Sequence, residues 1–297
     1  MSNLYLNIAN YIIQLNSQEI NLVPGRRFQN YLVRDSSSIN KINLKLNVFK
    51  WGDEIPSAAI KVFQAPFVQE TGGIRINRSP EFWSVWKDGD TSFIKVSHTE
   101  GAKHRNAILK FSLDSKEWDL WIEGSGDSAD PLEYPLDGLI LYYLTVINGD
   151  ILIHASGVNY NGKGYIFSGV SGKGKTTMAK IWDVTGAKVI HDDRLIIRLD
   201  ADNYIMHNTP VYDNEEPRFS ALNSLYLIEH GTVNRSVPMA GAPAISLIMA
   251  NCIQHNWNPF NIERLLGSVS GMCSRIPVYR LEFIPDKNVI DHILANE

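Results

Sequence analysis

Cysteine is scarce in this chain. Cys252 and Cys273 are the only two in 297 residues; they match no metal-ligand spacing and form no disulfide framework, which favours a reducing interior. Positive charge is not in excess: 28 Lys and Arg against 32 Asp and Glu leave a formal net charge of −4. There is thus no electrostatic reason to expect nucleic acid or an anionic membrane as partner. The longest apolar segment, Leu139-Ile-Leu-Tyr-Tyr-Leu-Thr-Val-Ile147, is too short to span a bilayer. The first ten residues lack a basic stretch followed by an apolar core, so no secretory signal is expected. No internal repeat of fixed period is present. What remains is an ordinary composition, 44% hydrophobic and 20% charged. It sets the expectation of a soluble cytoplasmic protein of one large or two modest domains, its oligomeric state open to a homo-oligomer.

From the start to the neighbourhood of Gly124 the chain reads as β-rich. Tyr11-Ile-Ile-Gln-Leu15, Ile42 to Phe49 and Ile60-Lys-Val-Phe63 alternate or carry β-branched residues, as half-buried strands do. Phe82 to Trp86 and Ser92 to Val96 flank Asp88-Gly89, a hairpin signal. Ala107 to Leu113 and Trp118 to Ile122 read as a second hairpin. Trp83, Trp86, Trp118 and Trp121 lie within these runs and suit strand faces packing a core better than a ligand-stacking platform. Arg26-Arg27, after Pro24-Gly25, reads as a solvated turn. Gly124 to Pro131 is small, polar and turn-forming, the expected boundary between a β-rich domain over 1–125, presenting substrate or serving assembly, and a second domain over 131–297.

Beyond that boundary, Pro135 to Asn148 predicts a helix, apolar nearly all round, which suits burial between domains. Asp150 to Tyr160 and Gly164 to Ser168 bracket Asn161-Gly162, a hairpin turn. Lys188 to Asp193, Arg194 to Leu199, Tyr204 to His207, Ser224 to Ile228 and Val278 to Phe283 read as strands. Thr176 to Val184, Ala242 to Gln254, Ile262 to Cys273 and Asp286 to Ala295 read as helices. Hairpins mixed with single helices predict α+β or mixed α/β rather than a doubly wound parallel sheet.

The stretch that organises the chain is Gly169-Val-Ser-Gly-Lys-Gly-Lys-Thr-Thr177. Gly169, Gly174, Lys175 and Thr176 have the spacing G-x-x-x-x-G-K-S/T between a strand and a helix. Glycines let backbone N–H groups curl around phosphate oxygens, and the helix N-terminus adds partial positive charge. Lys175 would bridge the β- and γ-phosphates and the Thr176 hydroxyl would ligate Mg²⁺; on the loop alone, kinase, ATPase and GTPase stay open. Gly169, Ser171, Gly172, Gly174, Lys175, Thr176 and Thr177 are the candidate nucleotide-binding residues. The plain alternative is a glycine-rich turn. Asp192 and Asp193 follow one helix later; one can hold the metal with Thr176 while the other takes a proton from the attacking hydroxyl, or the pair simply ends a strand. His154 is either a satisfied core residue or a cation near the γ-phosphate.

The order Ile-His-Ala-Ser-Gly157, then the loop, then Val-Ile-His-Asp-Asp193 resembles the nucleotide-binding core of the HPr kinase/phosphorylase and ATP-dependent phosphoenolpyruvate carboxykinase group. The resemblance covers about Asp137 to Asp200, and more loosely the later Asn-Thr-Pro and Leu-Tyr-Leu-Ile segments. It implies a phosphoenolpyruvate-carboxykinase-like core beside the N-terminal β-rich domain, with Lys175 on the β/γ-phosphates and Thr176 and Asp193 on the metal. It makes Asp192 the general base and His154 the histidine near the transferred phosphoryl. Arg218 is a weaker candidate for transition-state charge stabilisation, against an ordinary surface arginine. No Lys or Arg occurs between Lys116 and Lys163, where the carboxykinases carry a metal-binding lysine, so decarboxylation is disfavoured. The glycine- and arginine-containing signature of the bifunctional HPr kinases is also missing downstream, which speaks against HPr as substrate. The resulting expectation is an ATP/Mg-dependent kinase acting on a serine of a protein or peptide. The alternatives are a small-molecule kinase (free serine or a sugar) and a nucleotide-sensing protein without turnover.

Overall fold

The computed structural model describes residues 2–34, 39, 41–52, 55–71, 74–98, 105–124, 126–255 and 257–296. Two compact units result, Met1–Tyr143 with Tyr212–Glu215, and Leu144–Val211 with Glu216–Glu297.

The first unit contains β1 (Ser2–Ile8), β2 (Tyr11–Ser17), β3 (Asn21–Leu22), a 3-10 helix at Arg26–Tyr31, and β4 (Leu44–Lys50). It continues with β5 (Ile60–Thr71), β6 (Ile74–Asp88), β7 (Thr91–Val96), β8 (Ala107–Phe111), β9 (Glu117–Ile122), β10 (Ser128–Ala129) and the start of α1 (Leu136–Asn148). Eight strands form one sheet in the order β1-β2-β4-β9-β8-β7-β6-β5. Both expected hairpins are there, β6 with β7 and β8 with β9. Alternation decides the buried face: Tyr11, Ile13 and Leu15 of β2, Leu44, Leu46 and Val48 of β4, and Trp118, Leu120 and Ile122 of β9 are all buried. Trp83 and Trp121 are half-buried against Phe63 and Phe49, so these aromatics pack strand faces.

Three sequence expectations change here. Ser2–Ile8, which the sequence reading leaves unassigned, is a strand; Ala9 (φ 51°) and Asn10 (φ 62°) close a two-residue turn onto β2. Arg26-Arg27 is not a solvated turn. Arg27 pairs with Asp137 at 3.1 Å and donates to the Leu132 carbonyl at 2.7 Å, and Asp137 is only 3% exposed. Losing one partner of such a buried pair costs about 3–5 kcal/mol, so Arg27 is an anchor. Finally, the division between units falls inside α1, not at Gly124–Pro131, because that segment stays with the first unit: β10 pairs with β3, and Asp130 accepts from the Gly25 N–H.

The second unit takes α1 from Leu144, then β11 (Ile151–Tyr160), β12 (Lys163–Ser168), α2 (Lys175–Asp183), β13 (Lys188–His191), β14 (Arg194–Asp200), β15 (Asn203–Asn208) and β16 (Phe219–Ala221). β17 (Ser224–His230), β18 (Arg235–Met239), α3 (Gly241–Met249), α4 (Pro259–Cys273), β19 (Val278–Phe283) and α5 (Asn288–Ala295) complete it. The sheet order is β16-β15-β14-β11-β12-β17-β19-β18, with β13 also on β11. β12, β17 and β19 are mutually parallel and the other pairings antiparallel, so the fold is mixed α/β. Continuous apolar runs in the central strands feed both faces. Ile166, Leu225 and Leu227 pack with Ile248 of α3 and Leu265 and Val269 of α4. Tyr165, Phe167, Tyr226 and Ile228 pack with Met178 and Trp182 of α2 and Val289 and Ile293 of α5. α3 stops at Met249, short of the expected Gln254, because 251–253 is drawn onto β11: the His154 N–H donates to the Asn251 carbonyl and the Ile253 N–H to Leu152. Among the described residues no helix is long and apolar enough to cross a membrane.

Two buried histidines make this unit acid-sensitive. Desolvation, with Arg198 adding to it, lowers the His207 pKa from 6.5 to about 4, and burial alone lowers His255 to about 3. The folded values lie below the unfolded one, so the unfolded chain binds more protons below pH 6.5, and stability present above that pH is lost as pH falls toward those values. From pH 7 to pH 5 the loss should be about 2 kcal/mol per histidine. Urea midpoints at the two pH values check this, and His207→Asn should flatten the dependence; a midpoint that does not move would show that both histidines take up protons in place.

Candidate active site

The phosphate loop begins where β12 runs out. The β11–β12 hairpin turns through Asn161 and Gly162, both left-handed (φ 52° and 83°), as their sequence predicts. β12 then carries Tyr165, Ile166, Phe167 and Ser168 through the interior, all buried, and releases the chain at Gly169. Gly172 and Gly174 take φ of 81° and 94°, and Gly174 caps α2. The first helical bond is Met178 N–H to the Gly174 carbonyl, 2.8 Å, so the N–H groups of Lys175, Thr176 and Thr177 precede the helical ladder. Such groups, with the helix dipole behind them, are what an anion binds. Ser171, Thr176 and Thr177 are exposed, while Lys175 is buried. The Lys175 ammonium folds back onto its own loop, donating to the Gly169 carbonyl at 2.7 Å and to Val170 at 3.3 Å. Burial pulls its pKa down, and the charge of Asp193 opposes that. The buried Ser156 hydroxyl donates to the Lys175 carbonyl at 2.9 Å and ties the first turn of α2 to β11.

Facing this loop, β11 changes partners midway. Ile151–His154 pairs with β14, whereas Gly157–Asn159 pairs with β13. Asp192 and Asp193 lie in the bend between β13 and β14, so they are bend residues rather than the strand residues expected. Bend geometry is pinned twice. The Ala155 N–H donates to the Asp193 carbonyl at 3.0 Å, and the buried His191 ring accepts at Nδ1 from the N–H groups of Asp193 (2.9 Å) and Arg194 (3.1 Å). An Nδ1 that accepts twice carries no proton, which fixes the tautomer of that ring as Nε2–H. The Asp193 carboxylate is held on both sides, by His154 Nδ1 at 3.2 Å and by Arg194 Nε at 3.2 Å. The hydrogen bond from His154 keeps its pKa below the usual carboxylate range despite partial burial, with the charge of Arg194 adding to the effect. Asp192, beside it, is half-buried.

No protein-family model matches the chain, and no curated protein matches it. Among solved structures, the HPr(Ser) kinase/phosphatase from Coxiella burnetii is similar at 9% identity and a TM-score of 0.28, over 49% of this chain and 94% of that one. A likeness at that score carries no argument about this chain. The functional reading rests on the site itself.

Of the residues singled out by sequence, His154 and Asp193 touch, and the charge of Asp193 reaches Lys175. Arg218 donates one guanidinium N–H to the Val189 carbonyl of β13 at 3.0 Å. Three neighbours went unread in sequence. Arg194 is the second clamp on Asp193, Ser156 the tether of α2, and His230 a support of the loop, its Nε2 3.1 Å from the Gly172 carbonyl. Arg194 follows the Asp-Asp pair directly, a signal that could have been taken. A cleft of about 260 Å³ opens beside the loop, lined by Gly169, Val170, Lys173, Leu227, Leu247 and Arg280 among others.

Proposed function

We propose that the chain is an ATP- and Mg²⁺-dependent phosphotransferase that moves the γ-phosphoryl group to a hydroxyl, that of a serine in a protein or peptide. The observation that carries this reading is the convergence of the ionised Asp193, clamped by His154 and Arg194, with the phosphate-loop cation Lys175. Phosphoryl transfer needs a phosphate cradle, a metal anchor and a group that orients the nucleophile. The loop N–H groups supply the first.

Thr176 and Asp193 would hold Mg²⁺. Both offer hard oxygen donors, and each Asp193 oxygen keeps lone-pair capacity beyond its bond to His154 or Arg194. Mg²⁺ takes one or two carboxylates plus substrate phosphates, so a single aspartate beside the loop would suffice. When bound, the ion would neutralise charge on the β- and γ-phosphates. Lys175 would exchange its loop carbonyls for phosphate oxygens, Asp192 would accept the proton of the attacking hydroxyl, and His154 would sit beside the transferred group. The same chemistry would serve a second reading, a small-molecule hydroxyl acceptor such as free serine or a sugar.

Incubation with γ-labelled ATP, Mg²⁺ and serine-bearing peptides or free serine tests the proposal. Label in phosphoserine supports it, and the productive acceptor separates the two readings. Nucleotide bound with its γ-phosphate retained throughout would instead describe a sensor.

A further inference from the structure

The ends of β17 and β19 do more than pack beside the loop. At Gly174, a Cβ would lie 2.9 Å from the Phe283 ring and 3.3 Å from His230 Cε1, and at Gly169 it would lie 3.0 Å from the Ile228 carbonyl. His230 and Phe283 hold their rings 5.6 Å apart, centroid to centroid. The Gly231 N–H donates to the Phe283 carbonyl at 3.0 Å, so the two residues stand on a hydrogen-bonded rung that continues the β17–β19 ladder. The phosphate loop therefore rests on a rigid seat.

One contact on that seat sets the direction of a peptide group. His230 Nε2 lies 3.1 Å from the Gly172 carbonyl oxygen. A carbonyl only accepts, so Nε2 donates, in either the Nε2–H neutral ring or the imidazolium. In a trans peptide the carbonyl and the next N–H point in opposite directions. With the Gly172 carbonyl drawn to His230, the Lys173 N–H is turned the other way, back into the turn of the loop, where it donates to the Val170 carbonyl at 3.3 Å. Left-handed Gly172 (φ 81°) permits this orientation without a side chain to resist it. The opposite flip would aim the carbonyl, a partial negative charge, at the place an anion would occupy.

We infer that His230 is a positioning residue for the phosphate loop: it holds the Gly172–Lys173 peptide with the Gly172 carbonyl turned onto its own ring, so that this partial negative charge does not face a phosphate of the bound nucleotide, while the Lys173 N–H closes the 170–173 turn. It need touch no phosphate itself. Proton donation from Nε2 fixes the peptide, and the aromatic packing of Phe283 fixes the ring. This rests on the phosphate-loop reading above and adds a determinant from outside the motif, on a strand some 55 residues further along the chain, as the positions of Gly174 and His230 show.

Two variants separate the donor from the packing. His230→Phe keeps a ring against Phe283 and removes the donor; His230→Gln restores an N–H at a similar reach. Binding of MgATP and of inorganic pyrophosphate, which engages only the loop, is measured by calorimetry on the full chain. Melting temperature without ligand is followed alongside. The expected result is affinity for both ligands about tenfold weaker in His230→Phe, and within about threefold of wild type in His230→Gln, as for loss and rescue of one hydrogen bond that keeps a carbonyl dipole turned away from an anion. Amide exchange over residues 170–174 should rise in His230→Phe alone, with the melting temperatures of both variants close to wild type. Equal affinity in His230→Phe and wild type, or a His230→Gln as weak as His230→Phe, would overturn the inference and leave the phosphate-loop reading standing. A wild-type chain that binds neither ligand would instead overturn the reading beneath it.

Discussion

Asp192→Asn is expected to slow phosphoryl transfer about a thousandfold while leaving MgATP affinity within about threefold. The reasoning separates two adjacent carboxylates by their surroundings. Asp193 is clamped by His154 and Arg194 and held ionised, the state a metal ligand needs. Asp192 is half-buried in the same bend. A proton acceptor must be near the incoming hydroxyl, and the carboxylate not assigned to the metal is the one left for that role. Asparagine keeps the shape and much of the hydrogen bonding of aspartate but cannot take a proton, so the loss should fall on kcat and spare nucleotide binding. Retained transfer in Asp192→Asn would remove this residue from the role of base. A parallel loss of MgATP affinity would assign it to the metal instead, exchanging the two roles.

Gly164→Ala should destabilise the second unit by about 3 kcal/mol, at the upper end for overpacking, although the residue is far from any chemistry. An added Cβ would run into the carbonyl oxygen of Ala221, with Ser220 Oγ at 2.8 Å and Met206 Cε at 2.9 Å. Backbone cannot rotate away as a side chain can. The same residue is locked by Asn223, which accepts from the Gly164 N–H through Oδ1 and donates its own N–H to the Gly164 carbonyl, both at 2.8 Å. Relief by shifting β12 would therefore break those bonds and disturb the strand that delivers the loop. Chemical denaturation, read by the near-ultraviolet signal of Trp182 and its neighbours, checks the magnitude. An unchanged midpoint would mean that β16 moves aside freely.

How legible the molecule was in its sequence depended on whether a signal was local. Asn161-Gly162, and Gly89 in the Gly89-Asp90 turn one residue on from the expected pair, announce their hairpins because the left-handed turn selects those residue types. Ala9-Asn10 makes the same kind of turn from weaker turn formers, and β1 was missed with it. The phosphate loop was readable because its glycines, lysine and threonine are consecutive. By contrast, nothing next to His230 in the chain reveals that Gly172 lies against its ring, and nothing near Arg27 reveals Asp137. Those pairings come from strand order and tertiary packing. Asp192 and Asp193 were found, but as strand residues; that the bend is shaped by His191 needed the fold. Arg218 was picked out by its place in a loop after the motif; that one of its guanidinium N–H groups serves the Val189 carbonyl needed the fold.

The central claim is that Gly169 to Thr177 binds a nucleotide phosphate chain through Lys175. The most direct measurement is a calorimetric titration of MgATP into the full chain and into Lys175→Met, which keeps the apolar stem in its buried slot and removes the ammonium. The wild-type chain should bind saturably at one site and require Mg²⁺, and Lys175→Met should bind about a hundredfold more weakly, as expected for losing a charge-assisted phosphate contact. A wild-type chain that gives no binding heat, or a Lys175→Met variant that binds as tightly as wild type, would contradict the account.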